Sequence, residues 1–273
     1  MPLVTVILTT YKEGRPIEDS VNSVLEQTFT DFEFIIIDES PTDKICKIIS
    51  QIEKKDKRVR CVRNKTRMGF SNCLNQGIKL ARGEYIARID DDDVWCDPKK
   101  LEKQIDFFKK NKEYVLVGTG AIYVDKNTKE LYRVLMPESD GEIRKTILYK
   151  NCFIHSSVMF SKEAAVSVGC YDPLAGNEDF DLWLKLGTVG KLYNLPEYLV
   201  KFRCSSEHPQ ISKIRRSRTK ALIANIKKYK NNYPGYGRAE ILNFIKLTYT
   251  YLPKPKILEN YLYKKRQVRK WRV

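Results

Sequence analysis

The hydrophobic pattern of the first hundred residues keeps switching period. Residues 4–10 (VTVILTT) form a continuous run rich in β-branched positions, and behind it Ile17, Val21, Val24 and Leu25 recur at helical spacing. The run at 32–38 (FEFIIID) predicts a second strand, followed by Ile45, Ile48, Ile49 and Ile52 on one face of a second helix. Residues 58–64 (RVRCVRN) and 70–81 (FSNCLNQGIKLA) repeat the alternation, and 84–90 (EYIARID) supply a fourth strand. Asp97 and Pro98 then resemble an N-cap with proline at the first helical position, opening a helix with Leu101, Ile105 and Phe108 inward. Such alternation predicts an α/β fold with a mostly parallel sheet flanked by helices. Beyond Asp93 the pattern is mixed. Residues 114–124, 130–136 and 153–161 read as strands, 140–150 and 178–187 as helices, and 191–203 as an extended pair.

Sheets of this kind bind ligands at the carboxyl ends of their strands. Those ends hold Thr9, Thr10 and Tyr11, then Asp38 and Glu39, then Asn64, then Asp90 to Asp93. Hydroxyls and carboxylates converge where a ligand belongs. Four consecutive aspartates repel one another unless something positive sits among them. Carboxylates one residue apart can face one way and share Mg2+ or Mn2+, which takes its other ligands from waters and substrate phosphates. A solvated acidic turn ahead of Asp97 is the alternative, since acids are common in turns. Placement at the end of the fourth strand favours the cation.

Composition narrows the class. With 273 residues, 42% of them hydrophobic, the chain can bury a real core, which excludes wholesale disorder. No run approaches the ~18 apolar residues that span a bilayer. The start, MPLVTVILTTYKEG, lacks a basic n-region and reads as a strand, so the expected compartment is the cytosol. Seven cysteines without a CxxC pair read as reduced thiols rather than a disulfide framework or a zinc site. The formal net charge of +16 is confined to one region: residues 213–273 hold 18 Lys and Arg against Glu240 and Glu259, and residues 1–212 are neutral.

Five ordered blocks then carry a resemblance. VTVILTTYKEG, SVNSVLEQTFTDFEFIIIDESPTD (20–43), NKTRMGFSNCLNQGIKLARGEYIARIDDDD (64–93), NCFIHSSVMFSKEA (151–164) and YDPLAGNEDFDLWLKLG (171–187) are similar to the GT-A glycosyltransferases of family 2. The resemblance covers residues 3–212, and blocks in order are far more specific than one short motif. It implies a catalytic domain over 1–212, with a nucleotide-sugar half (1–95) and an acceptor-side half (96–212), and a basic helical extension over 213–273. Carried over position by position, it implies that Thr9, Tyr11, Glu13, Asp38, Arg67, Gly69, Asp90 and Asp92 hold a UDP-sugar. Asp92 would ligate Mn2+ or Mg2+, and Asp179 would be the general base that deprotonates the acceptor hydroxyl. His155, Glu178 and Trp183 would border the acceptor. His208 resembles a histidine that completes the metal site in the family, but the spacing around it departs from the pattern, and a surface-loop role stands beside that one. Glu39 replaces the family's second aspartate, and Asp91, where alanine is usual, should alternate away from Asp90 and Asp92.

The function so implied is inverting, metal-dependent transfer of a hexose or N-acetylhexosamine to a glycan or lipid-linked glycan in surface polysaccharide assembly. A sugar-phosphate nucleotidyltransferase is the second enzyme class, and it would carry a Gly-rich basic loop after the first strand, which LTTYKEGRPIED does not supply. A non-enzymatic membrane or nucleic-acid module driven by the tail is the third reading. In that tail Leu222, Ile223 and Ile226 fit one helix face, and Leu242, Ile245 and Tyr249 another. Basic amphipathic helices favour the inner, anionic face of a membrane. A charged bundle packed on the catalytic domain is the other use of the same pattern. No nucleic-acid motif accompanies the charge.

Overall fold

The computed structural model describes residues 1–204 and 211–251. The alternation read from the sequence holds through β1 (Val4–Thr10), α1 (Ile17–Leu25), β2 (Phe32–Asp38), α2 (Lys44–Lys55), β3 (Val59–Arg63), α3 (Phe70–Leu80) and β4 (Tyr85–Asp90). There follow β5 (Val94–Trp95), α4 (Lys100–Lys110), β6 (Tyr114–Val124), β7 (Glu130–Val134) and α5 (Asp140–Thr146). The described residues then continue through β8 (Met159–Ser161), α6 (Lys162–Ser167), α7 (Glu178–Leu186), β9 (Lys191–Arg203), α8 (Ile211–Lys228) and α9 (Tyr236–Tyr249).

One sheet runs β3-β2-β1-β4-β8-β6-β9-β5, with β7 paired to β6. The first four strands are parallel. Beyond β4 the sheet is mixed: β8 runs antiparallel to both β4 and β6, β9 parallel to β6, and β5 antiparallel to β9. The expectation of a mostly parallel sheet therefore applies to the first half alone. Two further differences have local causes. Of residues 153–161 only the last three are a strand, because His155–Ser157 close a 3-10 turn that aims Ser156 at the acids. Residues 191–203 form one long strand, not a pair, because the ladder with β6 absorbs Pro196 and Glu197 as a bulge. Helix α4 begins later than Asp97, although that side chain still accepts from the Lys99 amide at 2.7 Å.

Both faces of the sheet are covered, as period-two alternation requires. Val6 and Leu8 of β1 pack with α1, α2 and α4, and Ile7 packs with α3 and α7 on the opposite side. The second core also contains Ile226, Tyr229, Tyr233 and Ala239. Helix α8 and the start of α9 are thus part of the body of the protein, and the charge boundary near residue 213 is not a break in packing.

Candidate active site

Strand register decides which side chains meet. Thr9 lies beside Asp90, and Thr10 beside Asp38, so the carboxyl ends of β1, β2 and β4 present one row. The chain turns immediately after Asp90, and the four aspartates diverge.

Asp90 accepts from the Arg88 guanidinium at 2.5 Å and from Ser156 Oγ at 3.1 Å. Burial opposes its charge, but Arg88 above all, with Ser156 and Arg15, outweighs that and holds its carboxyl below the ordinary range. Asp91 is buried; it accepts from Thr10 Oγ1 at 2.7 Å and pairs with Arg15. It does not alternate away from Asp92, because the turn lets one Arg15 nitrogen reach both, with Asp92 Oδ2 at 3.1 Å. Asp93 points inward to Ser156 and to the Arg203 amide, and burial together with the Asp90 charge pushes it well above the usual carboxylate range. Asp92 has Arg15 as its one hydrogen-bond or ion-pair partner among the described residues, and its side chain is 21% exposed, close to the 23% of Asp90. Burial raises it to about 6, with Arg15 opposing and Asp91 and Asp90 assisting. The repulsion in the DDDD run is relieved by two buried or half-buried guanidiniums and two hydroxyls.

Among the described residues, no group of three or more His, Cys, Asp or Glu side chains forms a closed cation cage. The donor set fits an ion that takes one carboxylate from the protein and the rest from phosphate and water, the usual habit of Mg2+. His208 lies outside the described residues.

On the donor side Asp38 is fully buried, with Oδ1 accepting from the Ser40 amide at 2.8 Å and Oδ2 left without a partner. A buried acceptor of this kind is costly unless a ligand N–H completes it. The Arg67 guanidinium lies 4.3 Å from the centroid of the Tyr11 ring, so those two predicted residues meet. Glu39 accepts from the amides of Met68 and Gly69 and thereby fixes the entrance to α3. Gly69 there has φ +89°, which a side chain would strain. Glu13 is turned to Thr42 and Lys44 at the rim.

On the acceptor side Asp179 occupies the first turn of α7, where the helix dipole favours a negative charge. Its Oδ2 accepts from Asn151 Nδ2 at 2.9 Å. Burial nevertheless raises its pKa to about 6, aided by Glu178, with the Phe180 amide and Asn151 opposing and Asp90 adding a further rise. Glu178 is half-buried beside it. His155 Nε2 lies 2.9 Å from the Tyr171 hydroxyl, and burial drives the imidazole down to about 3, so it is neutral. Trp183 is fully buried among Phe153, His155 and Phe160. It backs His155 from the core and presents no open wall.

Four residues of this constellation escaped sequence reading. Arg88 left a signal, a lone charge inside an apolar strand. Arg15, Asn151 and Ser156 left none, since they act across 76, 28 and 66 residues of chain.

A family model for glycosyl transferase family 2 matches residues 5–168. The chain belongs to that family. Family 2 membership removes the nucleotidyltransferase and non-enzymatic readings. The chain is 32% identical over 190 residues to UDP-Glc:alpha-D-GlcNAc-diphosphoundecaprenol beta-1,3-glucosyltransferase WfaP of Escherichia coli, covering 70% of this chain and 72% of that one. Among solved structures, the mannosyltransferase PcManGT of Pyrobaculum calidifontis, in complex with GDP-Man and Mn2+, superposes with a TM-score of 0.70 at 18% identity. That match covers 92% of this chain and 73% of the other. TarS of S. aureus in complex with UDP-GlcNAc superposes with a TM-score of 0.66 at 16% identity, over 92% and 72% of the two chains. The fold of the family 2 chain is GT-A.

Proposed function

We propose that this family 2 enzyme transfers a hexose or N-acetylhexosamine, with inversion, from a UDP-sugar to a glycan or lipid-linked glycan during surface polysaccharide assembly. The observation that carries the reading is the division of labour among the acids. Asp92 is partly exposed with Arg15 as its one ion-pair partner, whereas Asp90, Asp91 and Asp93 are each tied to two or more protein groups, and Asp179 stands apart on α7, held by Asn151. Asp38, with its free Oδ2, pairs with the base edge; Tyr11 and Arg67 border the base and ribose. UDP is favoured over GDP by the WfaP and TarS ligand names, and PcManGT shows that the fold also accommodates GDP.

In the reaction an acceptor hydroxyl gives its proton to Asp179 as its oxygen attacks the anomeric carbon. The bond from that carbon to the diphosphate oxygen breaks on the opposite face, and the diphosphate leaves. Mn2+ or Mg2+ at Asp92 supplies positive charge to the departing diphosphate. Asn151 aims the base, and neutral His155 with Tyr171 lines the passage between Asp90 and Asp179. Residues 1–95 serve the donor and 96–212 the acceptor.

Release of UDP is the test, measured over a panel of UDP- and GDP-sugars with and without Mn2+. Turnover that is indifferent to chelation, or that survives both Asp92→Asn and Asp179→Asn, would overturn the reading.

A further inference from the structure

Helix α9 is built the wrong way round for a helix in water. Its buried positions are Ala239 and Asn243, followed by Thr250 just past its end. Its outward face carries Ile241 at 62% exposure, Phe244 at 61% and Ile245 at 57%. The spacing i, i+3, i+4 puts these three on one stripe, with Ile241 and Ile245 about 160° and Phe244 about 100° around the helix from Asn243. The small buried face lets α9 lie close against α8, and that contact forces the large side chains into solvent. Tyr251, beyond the end of α9, is also exposed, with the Arg216 guanidinium of α8 4.3 Å over its ring.

We propose that this stripe is a membrane-docking face that enters an anionic lipid surface. Charge selects the occupant. Exposed Lys220, Lys227, Lys228 and Lys230 belong to the same hairpin, and Arg238 flanks the stripe one turn away. Residues 252–273 add eight Lys and Arg against Glu259. The excess is of one sign throughout, and that repulsion opposes a second copy of the chain on the stripe. An anionic surface satisfies both the apolar stripe and the basic surround. No helix among the described residues is long and apolar enough to cross a membrane, so the contact is peripheral.

Placement gives the surface a use. Arg238 stacks on Tyr149 at 5.3 Å, and Lys246 donates to the Tyr149 carbonyl at 3.4 Å. Two residues on, Asn151 holds Asp179. The docking face is thus anchored to the segment that aims the base, which suits an acceptor delivered from lipid. That last link rests on the proposed function; the docking face itself does not.

The test is vesicle co-sedimentation of the full chain and of a Phe244→Ser/Ile245→Ser double variant. Vesicles are phosphatidylcholine alone and phosphatidylcholine doped with phosphatidylglycerol, and UDP binding and melting temperature serve as controls of folding. Wild type should partition onto the doped vesicles, and the double variant should lose about tenfold or more of that partition with both controls unchanged. Equal partition of the two proteins would assign the binding to charge alone and overturn the proposal. So would a wild-type dimer that the substitutions dissociate without any lipid effect. Slow labelling of Phe244→Cys by a bulky maleimide before vesicles are added, read by peptide mass, would show the face covered by the chain itself and equally overturn it. Neither donor nor acceptor enters the assay, so failure here leaves the proposed reaction standing, and failure of that reaction leaves this result standing.

Discussion

Asp90 at the end of β4 and Asp179 at the start of α7 are handled by opposite means. Asp90 accepts from the Arg88 guanidinium and the Ser156 hydroxyl and is held ionised against its own burial. Asp179 has one side-chain hydrogen bond from Asn151, and burial wins, raising its pKa to about 6. Within the aspartate run Asp90 is the exception, since burial also raises Asp91, Asp92 and Asp93. A diphosphate with its cation needs fixed charge, and a base needs a pKa near the working pH. The difference follows from how many donors each fold element delivers.

The sharpest way to break this contrast is Asp179→Asn. With fold and UDP binding retained, kcat should fall by about 10²–10⁴, measured by UDP release at saturating donor. Next is Arg88→Ala, which strips a buried cation from Asp90 and should cost about 3–5 kcal/mol in chemical denaturation. An equal loss from Arg15→Ala, whose guanidinium is one-third exposed, would erase the distinction between an interior pair and a rim pair. Proton exchange at Asp179 should appear in the pH profile. At saturating metal and donor, kcat should drop about tenfold per pH unit below about 6, as the carboxylate takes up its proton. Asn151 stabilises the ionised form, so Asn151→Ala should move that midpoint upward. The smallest expected effect is Glu39→Gln. Its amide accepts less well from Met68 and Gly69, which should cost about 1–3 kcal/mol and raise the donor KM while leaving kcat nearly unchanged.

How much of this was legible follows from the range over which each feature acts. The parallel half was readable because β-branched runs and helical spacing are local signals, and strand ends in such sheets mark a ligand crevice. The convergence of Thr9, Asp38 and Asp90 followed from that topology. Trp183 was misassigned because its burial depends on Phe153 and Phe160, which reach it from other elements. The outward direction of Ile245 was not legible for a related reason: a hydrophobic pattern gives a face, and only the partner helix decides which face is covered.

The amino-acid sequence by itself determined the alternating framework, the acids at its strand ends, the family and the concentration of positive charge beyond residue 212. Each of these is written in periodicity, in contiguous blocks or in composition. Tertiary structure decided which aspartate has only one partner among the described residues, that Asn151 meets Asp179, and that α9 turns Ile241 and Phe244 outward. Those outcomes depend on contacts between segments far apart in the chain, and packing against a neighbour, not local propensity, fixes the direction of a side chain.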